Sequence, residues 1–252
     1  MSIERWKGRT ALVTGASSGI GLAIAKALAV ECAMRVAVVA RREERLADLA
    51  AEVQSCGATM LVCRGDVSRD ADILGCFAKV RREWGGIDLL VNNAGVARMM
   101  PLTEGDPGDW RNTLNINVAA PALCMQEAIK DMRERQEGQI INISSIYAHR
   151  EQVPNFAFYQ ASKSALRSLT STVRAELATP DNRIRIGMIS PGMVATEFRA
   201  QATDGAFAFE SYFENYEPIL PEDIVDAVTY MLSTRPHVQV QDVLLSPLGQ
   251  GL

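Results

Sequence analysis

Seven short runs of β-branched and apolar residues, separated by stretches with helical spacing, constrain this chain more than any other feature. The runs are Thr10 to Thr14, Arg35 to Ala40, Met60 to Cys63, Ile87 to Val91, Gln139 to Ile143, Arg183 to Ile189 and Val240 to Leu245. Helices are expected at about Gly19 to Val30, Glu43 to Cys56, Asp70 to Trp84, Pro107 to Gln136, Ala157 to Ala178 and Pro221 to Thr234. The strand runs lack inside/outside alternation, so both faces of each strand need cover. Such strands alternating with helices predict an α/β, doubly wound fold of the Rossmann type: a seven-stranded, mostly parallel sheet with helices on both faces. At 252 residues one continuous sheet suffices, and a single domain over 1–252 is expected. One stretch, Glu197 to Leu220, breaks the rhythm and reads as an insertion before the last helix.

Composition removes several classes of function. Charged residues are 22% of the chain and the net charge is −4, with both signs mixed along the sequence, so no basic face for nucleic acid or an anionic membrane is indicated. Cys32, Cys56, Cys63, Cys76 and Cys124 are odd in number and lack CxxC spacing, which argues against a disulfide framework and a zinc site and fits a reducing compartment. Met1 to Arg9 carries Glu4, Arg5, Lys7 and Arg9 with no signal-peptide apolar core, and no apolar run is long enough to span a bilayer. A cytoplasmic protein without a resident metal is expected.

The first strand run leads directly into Thr14-Gly15-Ala16-Ser17-Ser18-Gly19-Ile20-Gly21, and a helical pattern follows at once. Glycines at such a junction permit a tight turn and close backbone approach to a pyrophosphate, which then sits at the positive end of the helix. This outlines a dinucleotide site, although the spacing is Gly-x-x-x-Gly-x-Gly and differs from the common Gly-x-Gly-x-x-Gly; a strand-to-helix turn with incidental glycines is the lesser alternative. About twenty residues on, where a carboxylate would grip the ribose hydroxyls of NAD, the chain has Ala40-Arg41-Arg42. A guanidinium pairs with a 2′-phosphate that a carboxylate would repel, which favours NADP(H). The blander alternative is that Arg41 and Arg42 merely open the charged face of the Glu43 to Cys56 helix.

A second group of residues carries acid–base chemistry. Tyr159 and Lys163 are four apart on a predicted helix and so share a face. A nearby cation favours a phenolate, and lowering the phenol by about three units corresponds to about 4 kcal/mol, which Lys163 and a cationic nicotinamide could supply together. Tyr159 would then serve as a general acid/base near neutral pH; most such pairs are an interfacial tyrosine and a surface lysine. The fifth strand run ends in Asn142-Ile143-Ser144-Ser145, the fourth in Asn92-Asn93-Ala94-Gly95, at the sheet edge where α/β proteins bind ligands. Serines there also satisfy strand-end backbone, Asn and Gly are ordinary turn residues, and Asn117 in the next helix can be a core amide bonded to backbone.

In this order these segments resemble the short-chain dehydrogenase/reductase superfamily from Arg9 to Leu248. The resemblance implies a catalytic tetrad at Asn117, Ser145, Tyr159 and Lys163. In it Ser145 polarises a carbonyl, Tyr159 protonates its oxygen, Lys163 holds the nicotinamide ribose, and Asn117 anchors a water that relays protons to Lys163. It implies an adenine contact from Asp66 and a sheet-stabilising loop at Asn92 to Gly95. It also implies cofactor contacts from Gly15, Ser17, Ser18, Gly19, Ile20, Arg41, Arg42, Val67, Asn93, Ala94, Gly95, Tyr159, Lys163, Pro191, Gly192, Val194 and Thr196. Ala40-Arg41 matches its NADP-preferring subgroup. Within the family, Glu4-Arg5-Trp6, Asn92 to Arg98, Ile140 to Ile143, His149-Arg150 and the tail from Pro221-Glu222-Asp223 to Pro247 resemble a branch that reduces ketosteroids and dicarbonyls or oxidises isoprenoid alcohols. Family members are mostly homodimers or homotetramers built on the two long helices.

The same likeness makes Glu197 to Leu220 the expected substrate lid. Phe198, Phe207, Phe209, Tyr212, Phe213 and Tyr216 are six of fifteen aromatics (seven Phe, five Tyr, three Trp), all within nineteen residues. That suits an apolar carbonyl or alcohol substrate, and equally a segment packing on its own protein or on a second subunit. A small dicarbonyl is the alternative substrate. His149 and His237 complete no nucleophilic triad or metal set by spacing. A silent NADP-binding regulator would not need all four tetrad residues, and an adenosyl-methionine transferase would want an acidic residue after strand two.

Overall fold

A computed structural model describes residues 3–150, 154–203, 205 and 217–250. Its strands are β1 (Thr10–Thr14), β2 (Arg35–Ala40), β3 (Thr59–Arg64), β4 (Leu89–Asn92), β5 (Gly138–Ile143), β6 (Ile184–Pro191) and β7 (Asp242–Leu245). The helices are α1 (Gly19–Val30), α2 (Glu43–Ser55), α3 (Asp70–Trp84), α4 (Pro107–Leu114), α5 (Ala120–Arg135), α6 (Ala157–Glu176), α7 (Phe198–Ala202) and α8 (Pro221–Ser233). The strands form one seven-stranded sheet in the order β3-β2-β1-β4-β5-β6-β7, and every pairing is parallel. The expected fold class is present.

Why both faces are apolar is visible strand by strand. Ala11 and Val13 of β1 point into a core with Ile24 and Leu28 of α1, Leu46 and Val53 of α2, and Ile224 and Val228 of α8. Leu12 points the other way, into a core with Phe77 and Val80 of α3 and Met125 and Met132 of α5. Successive side chains of a strand face opposite ways, so a strand sandwiched between helix layers must be apolar at every position. Truncating a side chain as enclosed as Leu12 would cost about 2–5 kcal/mol.

Several boundaries shift by one or two residues, and two departures from expectation have local reasons. Strand β4 begins at Leu89 because the Ile87 amide donates to Asp131 Oδ2 on α5 at 3.1 Å instead of entering the ladder. The single helix expected over Pro107 to Gln136 is interrupted by a π-helical turn at Asn115–Ala119 between α4 and α5. That turn carries Asn117, with none of its surface exposed; π turns concentrate where a side chain must be re-aimed.

The chain order reverses between β1 and β4, so the loops at their carboxyl ends part and leave a crevice. Of the insertion expected at Glu197 to Leu220, residues 204 and 206–216 lie outside the described residues, and with them Phe207, Phe209, Tyr212, Phe213 and Tyr216. The five cysteines are all free thiols. Among the described residues no helix is long and apolar enough to cross a membrane, and among them no group of three or more His, Cys, Asp or Glu is placed to hold a metal ion.

Candidate active site

A cavity of about 360 Å³ opens at the carboxyl edge of the sheet, over the reversal point. Every residue expected to contact the dinucleotide lines it, together with Ser145, Tyr159 and Lys163. Asn117 does not line it and lies behind the wall.

At one end, the turn from β1 to α1 is shaped by what glycine allows. Gly15 has φ +69°, and a Cβ there would sit 2.8 Å from Ala94 Cα. At Gly21 a Cβ would run into Asn93 Nδ2 and the Gly15 carbonyl. The loop after β4 is fastened to this turn: Asn93 Nδ2 donates to the carbonyls of Thr14 (3.0 Å) and Gly15 (3.2 Å), and Thr14 Oγ1 accepts from the amides of Asn93 and Ala94, each at 3.0 Å. Beneath them Asn92 Nδ2 donates to Asn142 Oδ1 at 2.8 Å, joining β4 to β5. The loop's sheet-bracing part is thus a set of amide bonds.

Helix α1 begins at Gly19 without a side-chain cap, because Ser18 Oγ accepts from Arg42 Nη2 at 2.7 Å instead of turning back onto the helix. By contrast Asp106 caps α4, and Asp223 Oδ2 accepts from the Leu220 amide at 2.7 Å at the start of α8. The first amides of α1 are therefore left for a ligand, and an anion is what they and the helix dipole favour. Arg41 lines the mouth of the cavity exposed and makes no ion pair among the described residues. Arg42 is engaged, with Ser17 Oγ at 3.0 Å, Ser18 Oγ and Glu197. Asp66 accepts from the Ser68 amide at 2.9 Å, and its own amide donates to Asp72 Oδ2 at 2.9 Å, which fixes its loop at the cavity rim.

At the other end, Tyr159 and Lys163 stand on the buried face of α6, 8% and 4% exposed. Lys163 Nζ lies 5.7 Å from the Tyr159 ring centre and donates to the Ile143 carbonyl at 2.9 Å, at the end of β5. Burial lowers the lysine to about 8 from an ordinary 10.5. Burial pushes the Tyr159 phenol up; a hydrogen bond with Ser145 pulls against this and Tyr147 adds to it. Lys163 alone does not supply the lowering expected of Lys163 and a cationic nicotinamide together, because it spends its contact on a carbonyl and the phenol sits among aromatic rings. Tyr147, Phe156 and Phe198 pack around it with centroid separations of 5.9, 6.2 and 5.7 Å.

Asn117 braces this end from behind. Its Oδ1 accepts from the Val96 amide at 2.9 Å, while Nδ2 donates to the Val96 carbonyl at 2.8 Å and to Ser162 Oγ at 2.9 Å. Both amide hydrogens are used, and Ser162 in turn donates to the Tyr159 carbonyl at 2.7 Å.

Proteins of known kind share this arrangement. The short chain dehydrogenase family model matches residues 9–206. The chain belongs to the short chain dehydrogenase family. Dehydrogenase/reductase SDR family member 11 from Bos taurus is 42% identical over 255 residues, covering 98% of this chain and 99% of the relative. Farnesol dehydrogenase from Aedes aegypti is 40% identical over 253 residues, with 98% and 99% covered. Among solved structures, an alcohol dehydrogenase from the archaeon Thermococcus sibiricus complexed with 5-hydroxy-NADP superposes with a TM-score of 0.84 at 27% identity, covering 97% of this chain and 98% of that one.

As a short chain dehydrogenase the protein is an oxidoreductase acting between CH–OH and C=O groups. Sequence spacing missed Tyr147 and Phe156, which have no motif and reach the cavity only through the fold. It also passed over a cluster near β6: His149 Nε2 lies 3.1 Å from Ser190 Oγ and 3.0 Å from Asp242 Oδ2, and Ser190 Oγ donates to Asp242 Oδ1 at 2.8 Å. It is no nucleophilic triad, since the serine is fully buried and gives its proton to the carboxylate. The cluster ties the loop that carries Ser145 to β6 and β7.

Proposed function

We propose that this enzyme uses NADP(H) to interconvert a bulky apolar carbonyl compound and its alcohol, with Tyr159 moving the proton. The observation that carries the reading is one cavity holding both an uncapped helix N-terminus flanked by arginines and a buried Ser145–Tyr159–Lys163 group. The glycine turn, which any Cβ would fill, and the free guanidinium of Arg41 suit a pyrophosphate and a 2′-phosphate. Gly15, Ser17, Ser18, Gly19 and Ile20 would hold the former and Arg41 and Arg42 the latter, with Asp66 and Val67 at the adenine. Asn93, Ala94, Gly95, Pro191, Gly192, Val194 and Thr196 would border the rest of the dinucleotide.

Bound there, NADPH supplies the hydride. The chain's own residues supply the rest. The Ser145 hydroxyl holds the substrate oxygen beside the phenol, and Tyr159 donates its proton to that oxygen as charge builds on it. A phenol pushed up by burial is fully protonated near neutral pH, which suits it to act first as an acid, in reduction. Lys163, its ammonium held by the Ile143 carbonyl, stands ready for the ribose and for passing a proton to the phenol. Asn117 positions the helix segment between them and, through the second lone pair of Oδ1, can hold the relay water.

The apolar substrate class is supported by Tyr147, Phe156, Phe198 and Ala202, which pack around Tyr159 and line the cavity. Burying apolar ligand against such a wall contributes about 25 cal/mol per Å². The test follows nicotinamide absorbance with a ketosteroid, an isoprenoid aldehyde and a small dicarbonyl for wild type and Phe198→Ala. Loss of kcat/KM of about tenfold or more on the two apolar compounds, with the dicarbonyl nearly unchanged, is expected. Equal loss on all three would make the small dicarbonyl the better reading. Homodimers or homotetramers built on the two long helices are proposed from the family resemblance, to be checked by sedimentation.

A further inference from the structure

We propose that Glu197 is a specificity-determining residue: its carboxylate occupies the paired guanidiniums at the mouth of the cavity and competes with a phosphate on the adenosine ribose, weakening NADPH relative to NADH. The inference rests on the cofactor reading above and concerns a residue that reading leaves unused.

Glu197 accepts from Arg45 Nη1 with both carboxylate oxygens at 3.1 Å and pairs with Arg42 Nη1 at 3.3 Å. Gln201 Nε2 also donates to it, at 3.4 Å. Arg42 reaches the same place from the cradle side, since its other nitrogens hold Ser17 and Ser18, the two hydroxyls before the open amides of α1. The preceding residue, Thr196, packs on the cradle itself: a Cβ at Gly19 would lie 3.0 Å from Thr196 Cγ2. Glu197 therefore bridges the rim of the cradle and the first turn of α2. Although partial burial acts against it, hydrogen bonds from Arg45 and Arg42 hold its carboxyl below the ordinary range, so it is an anion at any physiological pH.

Two anions cannot both use the same guanidinium edges. A 2′-phosphate entering beside Arg41 and Arg42 must either displace the Glu197 carboxylate or bind with fewer charge-assisted bonds, against repulsion from it. A dinucleotide ending in a free ribose hydroxyl makes no such demand. The carboxylate side chain is 49% exposed, so solvent screens the competition and the expected effect is modest, about three- to tenfold in Kd.

The experiment is isothermal titration calorimetry of NADPH and NADH binding to the wild-type protein, Glu197→Gln and Glu197→Asp. Glu197→Gln is expected to tighten NADPH about three- to tenfold while leaving NADH within about twofold, and Glu197→Asp, which keeps the charge, to stay near the wild-type ratio. An unchanged ratio in Glu197→Gln, equal tightening of both cofactors, the same tightening in Glu197→Asp, or weaker NADPH binding would each overturn the proposal. The last would show that the carboxylate organises the arginines for the phosphate. If the wild type and both variants bind NADPH no better than NADH, the cofactor reading itself fails and the competition with it. A clear wild-type preference with a flat variant series rejects the competition alone.

Discussion

The N-terminus of α1 and the first turns of α6 face one cavity, and they are built on opposite principles. At α1 the chain withholds a cap, admits glycine where no side chain fits and leaves Arg41 exposed, so that backbone amides and guanidiniums await an anion. At α6 it does the reverse, sealing Tyr159 and Lys163 among aromatic rings and backbone carbonyls. Burial there raises the phenol, which keeps it neutral, and lowers the amine to about 8, so that its charge is held less firmly than an exposed lysine's. The contrast teaches that binding and proton transfer in one site place contrary demands on solvent access. One sheet edge meets both because different loops supply them. The two regions should accordingly fail separately when mutated.

The largest separation is expected from Tyr159→Phe. Removing the proton carrier should lower kcat about 10²- to 10⁴-fold. NADPH affinity should stay within about twofold, since the phenol adds little to holding the cofactor; calorimetry beside steady-state kinetics checks both. More than half of wild-type kcat in this variant would break the division between the regions.

From the other side, Arg41→Asp should leave the chemistry intact and move cofactor preference. Losing a charge-assisted contact and gaining a repelling carboxylate should shift the NADPH-to-NADH ratio of kcat/KM by about ten- to a hundredfold toward NADH. An unchanged ratio would reduce Arg41 to a helix-start charge.

The smallest effect concerns the cost of burying the lysine. With Lys163 lowered to about 8 from 10.5, the unfolded chain binds more protons at this site between those values, so its contribution to stability rises with pH there. Below pH 8 the buried charge opposes folding, by about 3 kcal/mol at most. Lys163→Met should therefore be inactive yet more stable than wild type by about 1–3 kcal/mol near neutral pH, the lost bond to the Ile143 carbonyl offsetting part of the gain. The difference should shrink toward about pH 10, as urea unfolding at the two pH values would show. In the active protein the same group should give kcat/KM for reduction an alkaline limb near 8. A Lys163→Met protein less stable at both pH values would mean that the bond to Ile143 outweighs the desolvation.

Much of the sheet was legible because a strand covered on both faces is mostly apolar, and the centres of β1 (Ala11 to Val13), β2 (Val36 to Ala40) and β5 (Ile140 and Ile141) read that way. Boundaries were less so: nothing in the sequence near Ile87 announces that its amide will be taken by Asp131, forty-four positions away. The interruption at Asn115–Ala119 was also hidden, since its residues fit an unbroken helical pattern. In the site, the glycine turn and the Tyr159/Lys163 pair were legible because local spacing sets their geometry. Glu197 on Arg42 and Arg45 was not, because it depends on contacts between segments far apart in the chain, and the ring wall of Tyr147 and Phe156 was not, because the fold of the loop before α6 places it. The enclosure that raises the Tyr159 phenol was hidden too: charge at four-residue spacing can be read from a sequence, but enclosure cannot.

The most direct test of the central claim is to supply NADPH deuterated at the transferable position of nicotinamide C4 with an apolar ketone, and to analyse the alcohol formed. The account predicts one deuterium on the carbinol carbon, a solvent-derived proton on its oxygen, and loss of this product in Tyr159→Phe. Alcohol formed without deuterium, or formed equally fast by Tyr159→Phe, would contradict it.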